Sequence, residues 1–430
     1  MPADNYHAAA LLTIERCRKL ATFSEEDGAT TRTFLAPQMH DCHRQLSRWL
    51  EPLGAEIRID NAGNFHALYP ASAVHAPRLL IGSHLDTVPN AGAFDGILGV
   101  VVGIALVESL HADPRNLPFA MEIIGFSEEE GVRFGIPFIG SRALAGQIDA
   151  ELLARKDSRG ISVKAAIESF GLDPADLANA HLTAETIGYL EFHIEQGPVL
   201  EEMNLPLAAV GAIAGQTRME FTFTGRANHA GTTPMHLRRD ALAGAAEWIG
   251  AVEEAAGETP SLVATVGQIE SKPGATNVIA ETARASLDVR HRDDPVRAHA
   301  VSKLLAAAKE IAVRRNLSLK CKTLLEQSSV PMDARLTEIA EKAIECAGRK
   351  PHRITSGAGH DAMVLAQRVP AAMIFLRSPG GISHSPEERV EVEDVAKALE
   401  TGAHFLDLLA ASRIIQRGAS SKAAQLKENE

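Results

Sequence analysis

Three potential metal ligands stand in one glycine-rich stretch, GSHLDTVPNAGAFDGILG (82–99), directly after the apolar run RLLIG. His84 and Asp86 are two residues apart, so both side chains point to the same side if the chain stays extended. We expect His84 to bind a metal ion and Asp86 to accept the other ring N–H, which fixes the imidazole tautomer. Asp95 follows at the predicted start of a buried helix, where a carboxylate can bridge two metal ions. An acidic surface turn with an N-cap aspartate is the alternative interpretation.

Further candidate ligands follow three other apolar runs. Glu128, Glu129 and Glu130 come after FAMEIIGF, and adjacent carboxylates need a cation or solvent to stabilise them. One of them could bind a metal ion while its neighbour acts as a base on water, although a solvated acidic loop is the commoner case. His193 lies in EFHIEQGP and His384 in GGISHSPEE. Taken singly, either histidine is also compatible with a core or surface position.

The elements that must position these residues form an α/β pattern. The runs RLLIG, FAMEIIGF, YLEFHIEQG and AAMIFLRSPGG have strand length and alternate with helical segments, which favours parallel strands. In open α/β sheets the functional crevice lies at the carboxyl ends of the strands, so we expect the polar segments to converge there. Together the five candidates form a nitrogen and oxygen set suited to two divalent ions about 3.5–4 Å apart: His84, Asp95, Glu130, His193 and His384.

The middle of the chain has a different order of elements. From about Ala214 to Glu326 it reads strand, helix, strand, strand, helix, strand, which is the split arrangement of ferredoxin-like domains. Met219, Phe221 and Phe223 alternate with polar residues, which predicts one covered sheet face. We therefore predict a catalytic domain made of residues 1–213 and 328–415, an inserted domain at 214–327, and a polar tail at 416–430.

Composition excludes some classes of partner. The 430 residues carry a formal net charge of −12, which argues against nucleic acid, although one or two arginines suffice for an anionic small substrate. The four cysteines form no CxxC pair, as expected for reduced thiols in a cytoplasmic protein. The N-terminus lacks a signal-peptide pattern, and the run GILGVVVGIALVESL is too short to span a bilayer. We expect a cytoplasmic protein without a membrane partner.

These motifs resemble those of the amidase, hydantoinase/carbamoylase family, a branch of the dinuclear metallopeptidase clan that includes zinc aminopeptidases and carboxypeptidases. Six motifs occur in the same order in that family and cover nearly the whole chain: GSHLDTVPNAGAFDGILG, SEEEGVRFG, HIEQGPVLE, GRANHAGTTPM, SGAGHDA and GGISHSPEE. Its members include allantoate amidohydrolase, N-carbamoyl-L-amino-acid hydrolase and β-ureidopropionase. The resemblance implies a mixed-sheet, zinc-aminopeptidase-like catalytic domain, with the inserted domain acting as a lid and as the contact of a homodimer.

The resemblance also implies a role for each residue of the site. The ligands divide between two divalent ions per subunit: His84 and His193 hold one, Glu130 and His384 the other, and Asp95 bridges them. Glu129 is implied as general base and acid, and Asp86 as the residue that orients His84. Zinc or manganese is the expected metal, while cobalt or nickel also suits this set of ligands.

Candidate substrate residues lie mainly in the inserted domain. A substrate carboxylate favours a bidentate arginine, and Arg290 at the end of ASLDVR is our candidate, with pairing to Asp293 or Asp294 as the alternative. Asn277 can hydrogen-bond the substrate's carboxylate or amide. His229 can stabilise a developing oxyanion, and in the family it is expected to reach across the dimer or to act when the lid closes.

The resemblance also implies that Gln196 and His360 line the metal side of the site and contact the ureido group; a structural histidine at a helix start is the alternative for His360. The expected reaction is hydrolysis of a ureido C–N bond with release of ammonia and carbon dioxide. SEEDGATTRTFLAP resembles the allantoate-type enzymes, so allantoate ranks first as substrate. N-carbamoyl-L-amino acids and the β-ureidopropionase substrate follow, then a dipeptidase or aminoacylase activity, and last a non-catalytic metal-binding module.

Overall fold

The structure is a computed structural model that describes residues 3–71, 73 and 76–412, with side chains from residue 5 onward. The predicted polar tail at 416–430 lies outside these residues. The described chain divides into two units. The first combines the residues up to Gly211 with those from Met332 onward, and the second is Ala212–Pro331.

The strands, in chain order, are β1 (Glu56–Ile59), β2 (Phe65–Tyr69), β3 (Arg78–His84), β4 (Ala120–Phe126), β5 (Thr186–Ile194), β6 (Leu207–Ile213), β7 (Gly215–Thr224), β8 (Val263–Thr265), β9 (Ile269–Lys272), β10 (Thr282–His291), β11 (Ser318–Gln327), β12 (Val330–Pro331), β13 (Arg353–Ser356) and β14 (Ala371–Leu376). The α-helices are α1 (Ala3–Ala21), α2 (Gln38–Leu50), α3 (Ile97–Ala112), α4 (Ile139–Leu144), α5 (Ala150–Ala154), α6 (Val163–Ser169), α7 (Val199–Glu202), α8 (Ala241–Glu258), α9 (Asp294–Arg314), α10 (Ala334–Cys346), α11 (Asp361–Leu365) and α12 (Val392–Ala411).

The first unit contains a mixed sheet with the strand order β1-β2-β4-β3-β5-β14-β6. The four central strands β4, β3, β5 and β14 are parallel, whereas β1, β2 and β6 are antiparallel to their neighbours. Nearly every residue of these parallel strands is buried, which is why they read as continuous apolar runs in the sequence. The predicted α/β fold with a parallel core is therefore confirmed, and the carboxyl ends of the four strands share one edge.

Helix α3 follows the first ligand stretch and is buried almost throughout, as predicted. Its close approach to the sheet depends on Gly99, because a Cβ atom there would lie 2.2 Å from the backbone oxygen of Phe192 in β5. The helix therefore fixes the end of β3 and the middle of β5 at backbone contact distance. Within the described part of the chain, no helix has the length and apolar character needed to cross a bilayer.

The second unit has an antiparallel sheet in the order β11-β7-β10-β8, with β9 also pairing with β10. Residues of β7 alternate between buried and partly exposed positions, as the sequence predicted for Met219, Phe221 and Phe223. Helices α8 and α9 pack against this face, where the Trp248 ring lies 4.1 Å from that of Phe221 and its Nε1 donates to the carbonyl of Leu304 (3.1 Å). This is the split βαβ arrangement of ferredoxin-like domains.

The sequence analysis missed strand β6. Its residues LAAVGAI form a short apolar run that neither alternates nor carries a turn signal, and such a run does not distinguish strand from buried helix. In the structure β6 lies antiparallel beside β14, and β13 pairs with its other side. The sheet is mixed at this end because β6 follows β5 after only a short helical connection.

A buried polar network supports the other end of the sheet. The His66 ring lies between two carboxylates, with Nδ1 2.8 Å from Glu122 Oε1 and Nε2 3.1 Å from Asp60 Oδ2. Burial alone would raise the pKa of Glu122, but the hydrogen bond to His66 and the nearby Arg58 and Arg78 lower it to about 2. A carboxyl group whose pKa is lowered by folding stabilises the fold above its unfolded pKa and loses that contribution as the pH falls.

We predict that Glu122→Gln lowers the free energy of unfolding by about 2–4 kcal/mol at pH 7, because it removes one charge of a buried pair. The deficit should shrink as the pH falls from about 4.5 toward 2, where Glu122 of the parent also becomes neutral. Urea unfolding at several pH values measures it, with Glu51→Gln at an exposed position as the control. A deficit of constant size across this range would contradict the assignment.

Candidate metal centre

The structure brings all five predicted metal ligands together in the first unit. His84, Asp95 and His193 each offer a ligand atom, and these atoms lie within 4.8 Å of one another. The same holds for Asp95, Glu130 and His384, so Asp95 is common to both groups. The four segments that meet here are the ends of β3, β4 and β5 and the loop that follows β14, together with the N-terminal approach to α3.

The two oxygens of Asp95 face different neighbours. Oδ1 lies 3.2 Å from Nε2 of His193 and 3.7 Å from Nε2 of His84. Oδ2 lies 3.2 Å from Nε2 of His384, which is itself 3.6 Å from Oε1 of Glu130. A carboxylate placed in this way can bind one ion through each oxygen, which is the arrangement of a bridging ligand.

The two buried histidines each use one ring nitrogen on the backbone. Nδ1 of His84 donates to the backbone carbonyl of Asp86 (3.0 Å), and Nδ1 of His193 donates to that of Ile194 (2.9 Å). The two Nε2 atoms face each other at 3.5 Å, beside Asp95 Oδ1, which has no hydrogen-bond donor among the described residues. Two imidazole nitrogens that converge beside a carboxylate oxygen can bind a divalent cation, and nitrogen with carboxylate ligands suits zinc or manganese.

The acidic run after β4 is buried, so its interpretation as a solvated loop is wrong. Glu128 is fully buried, and its pKa is raised well above the usual value by burial and by the nearby carboxylate of Asp86. Burial raises the pKa of Glu130 to about 7, with the carboxylates of Asp95 and Asp86 adding to the rise and His84 opposing it. The pKa of Glu129 is raised well above its usual value, mainly by burial. This crowding of carboxylates needs a positive charge, which a bound cation supplies.

Asp86 contacts both His84 and the backbone of the acidic run. Its carboxylate is 3.4 Å from Nδ1 of His84, so the shorter contact of that nitrogen is with the Asp86 backbone. The two carboxylate oxygens instead accept the backbone N–H groups of Glu129 (2.9 Å) and Glu130 (3.2 Å). Asp86 lies two residues beyond the end of β3 at His84. It therefore connects the first ligand stretch to the acidic run.

Arg32 holds the backbone on either side of Asp86, and the sequence analysis missed it. Its side chain is fully buried; Nε donates to the carbonyl of Leu85 (2.8 Å), and Nη1 donates to the carbonyls of Leu20 and Phe23. Its backbone pairs with Thr87 through the N–H of Thr87 (2.9 Å). An arginine within TRTFLAP gives no sign of these partners, because they come from distant segments.

The two residues expected near the metal ions occupy different environments. Nε2 of Gln196 donates to Asp95 Oδ2 (2.9 Å), so Gln196 lies in the site. His360 is buried under His193, with ring centroids 4.4 Å apart, and its Nε2 lies 2.9 Å from the hydroxyl of Ser356. Burial, and then His193, lowers the pKa of His360 well below its usual value, so the ring is neutral.

In the second unit, His229 and Asn277 lie side by side. His229 forms a β-bridge with Val278, and the N–H of Ala230 donates to the carbonyl of Asn277 (2.9 Å). Both side chains are exposed, and Nδ1 of His229 accepts the N–H of Gly231 (3.0 Å). A ligand on this surface can therefore reach an imidazole and an amide at once.

Arg290 lies at the other end of β10. It is paired with Gln216 in β7, whereas the same ladder extends in the opposite direction to the His229–Val278 bridge. Eight residues separate position 282 from Arg290, roughly 26 Å at about 3.3 Å per residue. Within the second unit, Arg290 therefore lies too far from His229 and Asn277 for the three to bind one small molecule.

Arg290 pairs with a carboxylate of its own strand. Its Nε and Nη2 each donate to Asp288 (both 2.9 Å), two residues back on the same face of β10. Asp293 and Asp294 start α9, where Asp293 caps the helix. Nε of Arg218 on β7 also donates to Asp288 (3.0 Å), so one carboxylate holds two arginines. The sequence offered no signal for this cluster, because Asp288 and Arg218 meet only through strand register.

Comparison with known proteins gives one consistent result. Residues 80–408 match Peptidase family M20/M25/M40. The chain is 38% identical to N-carbamoyl-L-amino acid amidohydrolase of Geobacillus stearothermophilus, over 90% of this chain and 95% of that protein. It is 35% identical to allantoate deiminase 2 of Glycine max, over 92% of this chain and 89% of that protein. A solved structure of an amidase of the hydantoinase/carbamoylase family from Burkholderia multivorans superposes with a TM-score of 0.87 at 29% identity, over 92% and 97%.

We predict that Zn²⁺ or Mn²⁺ stabilises the fold, by about 2.7 kcal/mol when the free ion is at 100 times its dissociation constant. EDTA should reverse the effect. Asp95→Asn should lose most of it, because Asp95 belongs to both groups of ligands. Thermal unfolding with and without metal measures the effect, and Asp113→Asn at an exposed helix end is the control. Equal stabilisation of Asp95→Asn and the parent would place the ions elsewhere.

Proposed function

The chain belongs to the peptidase family M20/M25/M40, whose members depend on metal ions, and we propose that it is an amidohydrolase that cleaves the ureido C–N bond of a small acid. Allantoate is the first candidate substrate, with release of ammonia and carbon dioxide. The observation that supports the proposal best is the shared carboxylate of Asp95 beside a second buried carboxylate, Glu129, that can act as a base.

We propose two divalent ions per subunit, zinc or manganese, with cobalt or nickel as possible substitutes. His84 and His193 would hold one, Glu130 and His384 the other, and Asp95 both. When bound, such ions polarise the carbonyl and make water more acidic. The Nε2 atoms of His84 and His193, which face each other, and the donor-free oxygen of Asp95 support this assignment.

Glu129 is the proposed general base and acid. A carboxylate oxygen of Glu129 lies in one group with ligand atoms of His84 and Glu130, all within 4.8 Å. Its backbone N–H is fixed by Asp86 (2.9 Å), which keeps the side chain next to the ligands. Glu129 accepts a proton from the water that attacks the carbamoyl carbon and returns it to the leaving nitrogen. Its raised pKa suits a group that must both take and give a proton near neutral pH.

We propose substrate contacts for the residues that the sequence singled out. Arg290 would pair with the carboxylate of the acid, while Asn277 and His229 would contact its amide and the developing oxyanion. Gln196 already donates to Asp95 Oδ2 and would lie next to the ureido group. The ring of His360 packs against that of His193, and His360 would contact the ureido group from that side.

We propose a homodimer in which His229 and Asn277 serve the site of the partner subunit. The distance along β10 supports this, because Arg290 lies at the opposite end of the strand pair from His229. In such a dimer the second unit would be both lid and contact surface. A closed symmetric dimer places two copies of each residue so that every site receives one from either subunit.

The relative from Geobacillus stearothermophilus makes N-carbamoyl-L-amino acids the second candidate substrates, since its printed name specifies them. Allantoate, N-carbamoyl amino acids and N-carbamoyl-β-alanine all combine a ureido group with a nearby carboxylate, so one arginine can serve each of them. A dipeptidase or aminoacylase on the same scaffold would also use the metal ligands, but its substrate would release no ammonia.

We predict that metal-loaded protein releases ammonia from allantoate with a higher kcat/KM than from N-carbamoyl-L-amino acids or N-carbamoyl-β-alanine, measured side by side. Glu129→Gln should keep its metal and lose about 10²–10⁴-fold in kcat, because the proton carrier is gone. Glu202→Gln at an exposed position is the control. Cleavage of a dipeptide without ammonia release from any ureido acid would favour the peptidase alternative, and a near-normal rate in Glu129→Gln would remove Glu129 from the mechanism.

We predict that His229→Ala and Arg290→Ala are each nearly inactive as pure proteins but recover activity when mixed, unfolded and refolded together. Mixed dimers would contain one site with an intact Arg290 from one chain and an intact His229 from the other. Random pairing would restore roughly a quarter of the parent activity. The measurement is ammonia release per subunit, with each variant refolded alone as the control. No recovery in the mixture would show that both residues serve the same subunit.

A further inference from the structure

Glu388 is a buried carboxylate next to the metal centre to which the proposed mechanism gives no role. It is 5% exposed and lies four residues after His384, at the end of GGISHSPEE. Its Oε1 accepts two backbone N–H groups, from Phe94 (2.9 Å) and Asp95 (3.0 Å). The residue therefore joins the backbone that carries the shared ligand to the loop that carries His384.

The side chains on this side of the centre form a second connection. The hydroxyl of Ser383 lies 3.1 Å from Asp95 Oδ2 and 3.4 Å from Glu388 Oε2. Asp95 Oδ2 is the oxygen that faces His384 (3.2 Å). Ser383 thus links the carboxylates of Asp95 and Glu388 within the same loop that presents His384.

The segment before Asp95 packs tightly against the side chain of Glu388. A Cβ atom on Gly92 would lie 2.4 Å from both the Cβ and the Oε1 atoms of Glu388. Only a glycine lets the segment before Asp95 approach the Glu388 side chain this closely. The close contact between Gly92 and Glu388 therefore fixes the position of this buried side chain.

The ligand His384 needs such an anchor more than the other ligands do. His84 and His193 are fully buried in strands, whereas the side chain of His384 is 49% exposed and its backbone has a φ of 53° in a loop. Within that loop, the N–H of Glu388 also closes a turn onto the carbonyl of Ser385 (3.0 Å). The position of Glu388 therefore determines where the loop stands relative to Asp95.

We propose that Glu388 is a positioning residue that keeps His384 and Asp95 at a fixed distance from each other, so that the ion bound by Asp95, Glu130 and His384 is retained. The proposal rests on the proposed two-ion site. Glu388 acts by accepting hydrogen bonds through its oxygens, mainly Oε1, and the described residues place no ion-pair partner beside it. Its charge is therefore dispensable, whereas its length and acceptor oxygen are required.

The test compares three substitutions at this position with a control. Glu388→Gln keeps an acceptor oxygen at the same reach, Glu388→Asp keeps the charge but is one methylene too short, and Glu388→Ala removes both. Glu387→Ala, at the exposed neighbouring residue, is the matched control. The ions bound per subunit and their dissociation constants are measured by titration calorimetry with Mn²⁺, with His384→Ala as the reference for loss of one ion.

Glu388→Ala and Glu388→Asp should bind one of the two ions about 10- to 100-fold more weakly, as expected for loss of a residue that orients a ligand. Glu388→Gln and Glu387→Ala should stay within about threefold of the parent, because the hydrogen bonds survive. If Glu388→Ala does not fold, which circular dichroism shows, the contrast between Glu388→Asp and Glu388→Gln decides the matter.

Two results would overturn the proposal. One is parent-like binding of both ions by Glu388→Asp or by a folded Glu388→Ala, and the other is equal loss in Glu388→Gln and Glu388→Asp. Because calorimetry uses Mn²⁺ alone, the result does not depend on the substrate. Failure of the parent to release ammonia would therefore reject the proposed reaction and leave the role of Glu388 to be decided by the ion titration.

Discussion

The structure around the metal centre depends on the carboxylate of Asp95, which faces three imidazoles and belongs to both groups of candidate ligands. Buried carboxylates repel one another unless a positive charge lies close to them. Every other feature of the site serves to hold these groups close in spite of that repulsion. Ser383 and Gln196 donate to Asp95, and Asp86 accepts the backbone N–H groups of the acidic run. Bound cations would supply the missing charge.

The fold meets this demand with rigid elements. Helix α3 begins one residue after Gly96, whose φ of 67° and missing side chain let the turn pass the His84 ring, since a Cβ atom there would lie 2.5 Å from it. The parallel strands bring His84 and His193 to one edge of the sheet, and the acidic run follows directly after β4 at the same edge. Only His384 comes from an exposed loop, which explains why the contacts of Glu388 lie on that side.

In the second unit, Arg290 and His229 are both proposed to contact the substrate, although they lie toward opposite ends of β10. The sheet of this unit packs on an apolar cluster around Trp248, and the pairing of β10 with β7 runs without a register shift from Thr282 to His291, which keeps the two ends of β10 apart. Arg290 sits among Arg218 and Asp288, which leaves a partly exposed arginine cluster rather than an isolated charge. The proposed dimer would resolve the separation, because symmetry can bring opposite ends of the same element to two equivalent sites.

The sequence alone determined the α/β class, the four parallel strands and the identity of the five candidate ligands, because buried strands and polar strand ends leave a local pattern. It could not reveal strand β6, the burial of Glu128, or the partners of Arg32, Arg290 and Glu388. Each of these depends on atoms that are far apart in the chain and meet only through sheet register or loop packing. Tertiary structure alone decided that Asp86 holds the acidic run, and that Arg290 lies at the far end of β10 from His229. Residue types show which groups can bind a metal ion, but the distances between those groups are set by long-range packing.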